Sequence, residues 1–296
     1  MTRIVISDNM ESEVVEELKS LGEVSYLPAD LSEALKDADV LIVRSKTKVT
    51  KEVIEGAPKL KIIARGGVGL DNINVNAAEE KGITVINTPG ASANAVAELV
   101  IGHMLSCFRN IAKANFQMKN GIWDKKNLIG QEVEGKTLGI IGYGRIGALV
   151  GKKASALGMK IIAYNPPPRH EDGLAEFVDD FDEFLARSDV ITLHVPLNES
   201  TRDAINGESI SKMKDGVFII NTSRGEVIDE DALYEACKSG KIAAAALDVY
   251  REEPYKGKLL GLGNVFFTPH LGAATKEAQL RIGKELVEKL KKELSA

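Results

Sequence analysis

Thr137-Leu-Gly-Ile-Ile-Gly-Tyr-Gly-Arg-Ile-Gly147 is the stretch that decides the fold. The apolar run Leu138–Ile141 reads as a strand and opens directly into Gly142-x-Gly144-x-x-Gly147. A helical pattern follows from Arg145 to Leu157. Strand, glycine turn and helix, in that order, are the context in which this spacing predicts a dinucleotide site. Gly142 is expected to make the tight turn, Gly144 to let a pyrophosphate approach the backbone, and Gly147 to let the helix pack on the strand. Arg145 and Ile146 open that helix, where unpaired N–H groups and the positive dipole end favour phosphate.

Outward from this stretch the chain alternates strand and helix. Strand patterns precede it at Arg3–Ser7, Glu23–Leu27, Val40–Val43, Leu60–Ala64 and Ile83–Ile86, with helical stretches between them. A long helix is expected from Ala93 to Lys119, then a loop over Asn120–Gly130. Further strands are expected at Lys160–Tyr164, Val190–Val195, Val217–Asn221, Ala243–Val249 and Val265–Thr268. In the last helix, Lys276–Leu294, the residues Ile282, Leu286, Leu290 and Leu294 recur on one face. Strict βα alternation implies parallel sheets covered on both faces. The expected fold is therefore α/β. It comprises two doubly wound parallel-sheet domains, a flavodoxin-like substrate domain and a Rossmann nucleotide domain, with an interdomain cleft. The final helix is expected to return to the first domain. That assigns 1–92 plus 274–296 to substrate binding and 93–273 to the dinucleotide.

Composition narrows the functional classes. At 296 residues the chain is long enough for two domains, and its net charge of −5 comes with no basic block. Nucleic acid and anionic membrane surfaces are not expected partners. The longest apolar helix, Ala93–Phe108, is too short for a bilayer and carries Glu98 and His103. Cys107 and Cys237 fall in helical patterns, as small buried residues would, which suits a reducing, cytoplasmic setting. The chain enters a strand pattern at Arg3, so no signal peptide is expected. No metal is expected.

In open α/β sheets ligands bind beyond the carboxyl ends of the strands. Of the four histidines, His103 lies on the apolar helix and reads as a core or interface residue. His170 follows Pro166-Pro167-Pro168 and reads as solvated. His194 and His270 both stand at strand ends, and position alone divides them evenly as acid–base candidates. Neighbouring strand ends favour His270. Asn221-Thr-Ser-Arg-Gly225 offers Arg224 for a bidentate grip on a carboxylate. Asp248-Val-Tyr-Arg-Glu-Glu-Pro254 offers Glu253, which can hold the tautomer of an imidazole and favour its charged form.

Taken in order, the glycine fingerprint, Asn221–Gly225, Asp248–Pro254 and Thr268-Pro-His-Leu-Gly-Ala273 resemble the D-2-hydroxyacid dehydrogenase family over essentially the whole chain. Within it, Val43-Arg-Ser-Lys-Thr-Lys-Val49, Ala64-Arg-Gly-Gly-Val-Gly-Leu-Asp-Asn72, Asn87-Thr-Pro89 and Ala97-Glu-Leu99 are most similar to the phosphoglycerate-oxidising branch. The resemblance implies oxidation of 3-phospho-D-glycerate to 3-phosphohydroxypyruvate, the first step of serine biosynthesis. It makes His270 the acid–base residue, Glu253 its orienting carboxylate and Arg224 the grip on the substrate's carboxylate and carbonyl. Arg44, Lys46 and Arg65 would meet the phosphate, and the amides of Gly67, Val68 and Gly69 would form an anion nest. The cofactor would also meet Asn165 and Pro166, then Val195, Pro196 and Thr201. Further along the chain it would meet Thr222 and Ser223, Asp248 at its carboxamide end, and Gly272 and Ala273.

The chain departs from the family pattern in places. The acidic residue expected after the second Rossmann strand is Asn165, with Arg169 close by. An aspartate would bind the ribose 2′-OH and repel a 2′-phosphate, whereas asparagine repels nothing. The cofactor is therefore expected to be NAD, with NADP possible. Ala95 stands where the family often has serine. The chain is expected to close with its last helix, without the regulatory domain of longer relatives, and to form a homodimer through the long helix and the Asn120–Gly130 arm. Two alternatives share these residues: a glyoxylate or hydroxypyruvate reductase, and more remotely a non-enzymatic NAD-sensing protein.

Overall fold

The computed structural model describes residues 1–167, 169 and 172–295; His170, expected to be solvated, lies outside the described residues. The chain divides into two compact units, Met1–Ala93 with Ala273–Ala296, and Asn94–Gly272.

In the first unit, strands β1 (Arg3–Ile6), β2 (Glu23–Tyr26), β3 (Val40–Val43), β4 (Ile62–Arg65) and β5 (Thr84–Asn87) pair in parallel in the order β2-β1-β3-β4-β5. Period-two alternation sends the two sets of side chains to opposite faces. Val5, Leu41, Val43 and Ile63 meet helices α2 (Leu31–Leu35), α3 (Lys51–Glu55) and α4 (Val75–Glu80) through Leu35, Ile54 and Ala77. Ile4, Ile6, Val40, Ile42 and Ile62 meet α1 (Ser12–Lys19) and α11 (Lys276–Leu294) through Val14, Leu18, Leu286 and Leu290. Helix α11 lies close enough to α1 that a Cβ on Gly283 would collide with Val14. Thr275 caps it by accepting from the Ala278 amide.

The second unit holds β6 (Thr137–Ile141), β7 (Lys160–Tyr164), β8 (Glu176–Phe177), β9 (Val190–Leu193), β10 (Val217–Asn221), β11 (Ile242–Leu247) and β12 (Val265–Phe267). All pair in parallel, in the order β12-β11-β10-β9-β6-β7-β8. The edge strand β8 is two residues long, too short to show a period, and was not among the expected strands. One face is covered by α5 (Ala93–Arg109) and α7 (Arg145–Ser155), with Phe108 stacked on Phe218 at 4.0 Å. The other is covered by α8 (Phe181–Arg187), α9 (Gly207–Lys212) and α10 (Glu230–Ser239).

The helix expected over 93–119 is two helices. Asn110 takes φ 54° and the chain bends by 67° between α5 and α6 (Ile111–Lys119). Asparagine tolerates the left-handed region better than most residues, which periodicity does not register. Helix α6 buries none of its residues and leaves Ile111, Phe116 and Met118 exposed; Ile122, Trp123 and Ile129 follow, also exposed. Among the described residues no single helix is long and apolar enough to cross a membrane.

Candidate active site

Strand β6 leaves the second sheet with β7 on one side and β9 on the other, so its glycine turn opens at the topological switch point. Gly142 has φ +93°, and a Cβ there would stand 2.7 Å from the His194 carbonyl oxygen. Both the conformation and the close approach exclude a side chain. A Cβ on Gly147 would strike the Gly142 carbonyl oxygen. Gly144, by contrast, faces open space and heads α7 without a side-chain cap, leaving that helix's first amides for an anion. Thr222 Oγ1, at the end of β10, is buried and makes no hydrogen bond. An open glycine at an uncapped helix start and an orphaned hydroxyl fit a dinucleotide.

At the end of β7, Asn165 Oδ1 accepts from the Tyr143 amide at 3.0 Å and its Nδ2 donates to the Pro166 carbonyl at 2.8 Å. Arg169 Nε donates to the Asn165 carbonyl at 3.0 Å, while its guanidinium pairs with Asp179 and lies over the Phe177 ring. The basic residue near Asn165 is thus in place but already engaged. Beyond β9, Val195 is half-buried and Pro196 exposed, while Thr201 Oγ1 donates to the Pro196 carbonyl at 2.6 Å and accepts from the Asn198 amide at 2.9 Å. That hydroxyl, expected on the cofactor, closes its own loop.

The ends of β10, β11 and β12 are consecutive in the sheet. After β10 the Asn221 side chain folds the turn, accepting from the Ser223 amide at 3.0 Å and Ser223 Oγ at 2.9 Å and donating to the Arg224 carbonyl at 2.8 Å. Arg224 Nη1 donates to the Ser223 carbonyl at 2.6 Å. A Cβ on Gly225 would collide with the backbone of Tyr250 and Arg251, so glycine there brings the β10 and β11 loops together. Glu253, in the β11 loop, accepts from the Tyr250 amide at 3.3 Å and lies 2.9 Å from His270 Nδ1. Both side chains of that pair are about half exposed, so the imidazole is accessible.

His194 differs. Its Nε2 lies 3.0 Å from Thr192 Oγ1, and loss of solvent pushes its pKa down to about 3. Loss of solvent thus disfavours a charged His194, whereas the His270 ring is half exposed beside a carboxylate.

Asp248, expected near the carboxamide end of the cofactor, is engaged within the protein. It is 1% exposed, and its carboxylate accepts from Thr268 Oγ1 at 2.5 Å, the Leu271 amide at 2.7 Å and the Gly272 amide at 2.8 Å. It anchors the loop that carries His270. A Cβ on Gly272 would press on that carboxylate at 3.3 Å. Ala273 falls in the segment belonging to the first unit, where its carbonyl accepts from the Thr275 amide at 3.0 Å. Two further residues join this loop: His103, expected in the core or an interface and 6% exposed, and Tyr250, for which no role was expected. His103 Nε2 lies 3.0 Å from Thr268 Oγ1, and the Tyr250 hydroxyl reaches the Leu247 and Thr268 carbonyls at 2.9 and 2.8 Å. Tyr250 stood inside a quoted motif, but only its hydroxyl geometry gives it a role.

In the first unit, β1 and β3 flank the switch point, and Asp8 and Arg44 follow their ends. Asp8 accepts from the amides of Arg44 at 2.6 Å and Thr47 at 3.2 Å and from Thr47 Oγ1 at 2.7 Å. Asn72 closes the same turn by donating to the Arg44 and Thr47 carbonyls at 2.8 and 2.6 Å. Arg44 Nη1 donates to the Asn9 carbonyl at 3.2 Å, and its buried Nε has no partner. Burial lowers its pKa, against the pull of Asp8 and Glu11. Lys46 is exposed. Arg65 ends β4 and its guanidinium folds over Gly67, which has φ +152°. Gly67 donates its amide to the Arg65 carbonyl at 2.9 Å. Of the three amides expected to form an anion nest, that of Gly67 is thus engaged in its own turn.

The D-isomer specific 2-hydroxyacid dehydrogenase NAD binding domain matches residues 101–272. The chain is 54% identical over 301 residues to the hydroxypyruvate reductase of Thermotoga maritima, covering 99% of this chain and 98% of that one. It is 51% identical to the D-3-phosphoglycerate dehydrogenase of Methanocaldococcus jannaschii, covering 99% of this chain but only 58% of that relative. A glyoxylate reductase structure from Paecilomyes thermophila is similar at TM-score 0.89 and 34% identity, over 99% of this chain and 95% of that one. The chain belongs to the D-isomer-specific 2-hydroxyacid dehydrogenases, a family of oxidoreductases, and carries their NAD-binding domain.

Proposed function

We propose that this chain oxidises 3-phospho-D-glycerate to 3-phosphohydroxypyruvate, and reduces it in reverse, as the first step of serine biosynthesis. The observation that supports the phosphorylated substrate is the buried, unpartnered Nε of Arg44 at the strand end, and the acid–base chemistry rests on the His270–Glu253 pair, half exposed beside the Arg224 turn. With Nδ1–H donated to Glu253, His270 keeps the lone pair of Nε2 to take the proton of the 2-hydroxyl. The Glu253 carboxylate opposes the charge that the ring then gains. Arg224 grips the substrate carboxylate and the oxygen that becomes the carbonyl. The Gly142–Gly147 turn and the start of α7 would hold a nicotinamide cofactor, which would supply the acceptor for the hydride leaving C2. Arg44, with Lys46 and Arg65, is assigned the phosphate, and the Val68 and Gly69 amides the carboxylate. NAD is the preferred cofactor. The protein is assigned to the cytoplasm and to a homodimer, whose partner would cover the exposed apolar residues of α6 and the arm.

The similarity to the Thermotoga maritima enzyme, over nearly its full length, favours a second reading as a hydroxypyruvate reductase using the same acid–base pair. His270→Asn tests what the two readings share. Turnover is expected to fall roughly 10²–10⁴-fold with NADH affinity retained; near-normal turnover would refute both.

A further inference from the structure

Thr268, Leu271 and Gly272 are tied to the buried Asp248 carboxylate, and His270 sits between them. His270 takes φ +54°, a left-handed conformation that a non-glycine residue keeps only when its surroundings hold it. Its own amide donates to the Thr268 carbonyl at 3.0 Å. The direction of the imidazole therefore depends on how firmly Thr268 is held.

His103 enters here from α5, 6% exposed. The chemistry of the chain fixes its tautomer. A carboxylate accepts and does not donate, so the Thr268 hydroxyl, 2.5 Å from Asp248 Oδ1, spends its proton on Asp248. Its oxygen is then the acceptor for His103 Nε2 at 3.0 Å, and Nε2 must carry the hydrogen. Burial disfavours the imidazolium and keeps His103 neutral, the form that can hold a fixed tautomer. A short chain thus runs from the helix through His103, Thr268 and Asp248 to the amides on the far side of His270.

We propose that His103 is a positioning residue for the acid–base histidine: by donating to Thr268 it fixes the loop that aims His270 at Glu253 and at the substrate. This rests on the reading of His270 as the acid–base group. The two fail separately: His270→Asn tests that reading, and substitutions at His103 test the positioning.

His103→Leu removes the donor and keeps an apolar volume. We expect kcat to fall about tenfold or more, since small misplacements of a reacting group are costly, while the Kd for NADH by fluorescence titration stays within about twofold, well under the 1.4 kcal/mol that tenfold represents. His103→Gln supplies an amide N–H to Thr268 and is expected to recover most of kcat. The double variant His103→Leu/Thr268→Val should be no worse than the worse single variant, as members of one chain are not additive. Wild-type kcat in His103→Leu would overturn the proposal. Equal loss in the leucine and glutamine variants would also overturn it, by showing that the site needs only its original shape. If His103→Leu does not fold, Thr268→Ser against Thr268→Val decides: retained turnover with serine alone supports the chain, and equal loss in both overturns it.

Discussion

His270 Nδ1 stands 2.9 Å from Glu253 Oε2, a pairing of two loops separated by 17 residues. A carboxylate at that distance holds the ring's orientation and opposes the charge it gains on taking a proton. Glu253→Gln keeps an oxygen for Nδ1–H and removes the charge. The variant should lose about tenfold or more in kcat while its affinity for NADH is retained. The check is kcat beside a fluorescence titration of NADH; wild-type kcat would dissolve the pairing.

Asn165 bears on cofactor choice. Its Oδ1 already accepts from the Tyr143 amide at 3.0 Å, a contact an aspartate can keep. Asn165→Asp adds a charge that accepts from a ribose 2′-OH and repels a 2′-phosphate. The ratio of kcat/KM with NAD to that with NADP is expected to rise. An unmoved ratio would place the ribose elsewhere.

His194 makes an opposite kind of prediction, about stability. Its folded-state pKa of about 3 lies below the unfolded value of about 6.5. As pH falls through that window the unfolded chain takes up a proton that the folded chain refuses, so stability declines. One such group contributes a slope of at most about 1.4 kcal/mol per pH unit. His194→Gln should flatten the fall in Tm between about pH 6.5 and pH 4 relative to wild type. A parallel fall would mean that His194 is not held neutral.

Much of the scaffold was legible because it is written in short periods. Apolar runs such as Val40–Val43 are buried on both faces, and the Gly142–Gly147 spacing is dictated by contacts to backbone oxygens. The His270–Glu253 pair was legible because its members end adjacent strands. What escaped depends on single conformations and long-range contacts. Asn110 breaks a helix whose periodicity continues past it. Asp248 accepts from the amides of Leu271 and Gly272, 23 and 24 residues away, which no local pattern announces. His103 and Thr268 lie 165 residues apart, and no local pattern joins them.

Arg44 carries the phosphate assignment. Its backbone is held by Asp8 and Asn72 at the switch point of the first sheet, and its buried Nε lacks a partner. Charge-assisted contacts to phosphate are among the stronger hydrogen bonds. Arg44→Ala should raise KM for 3-phosphoglycerate about tenfold or more, with activity on hydroxypyruvate or glyoxylate little changed. Equal losses on phosphorylated and unphosphorylated substrates would make Arg44 a support for its turn instead.

The most direct test of the phosphate assignment is a comparison of kcat/KM for reduction of 3-phosphohydroxypyruvate and of hydroxypyruvate by the wild-type protein with NADH, followed by cofactor absorbance. The phosphorylated keto acid is expected to be preferred by at least about tenfold, the equivalent of one good charge-assisted contact. Preference for hydroxypyruvate, or no discrimination, would contradict it and make the chain a hydroxypyruvate reductase.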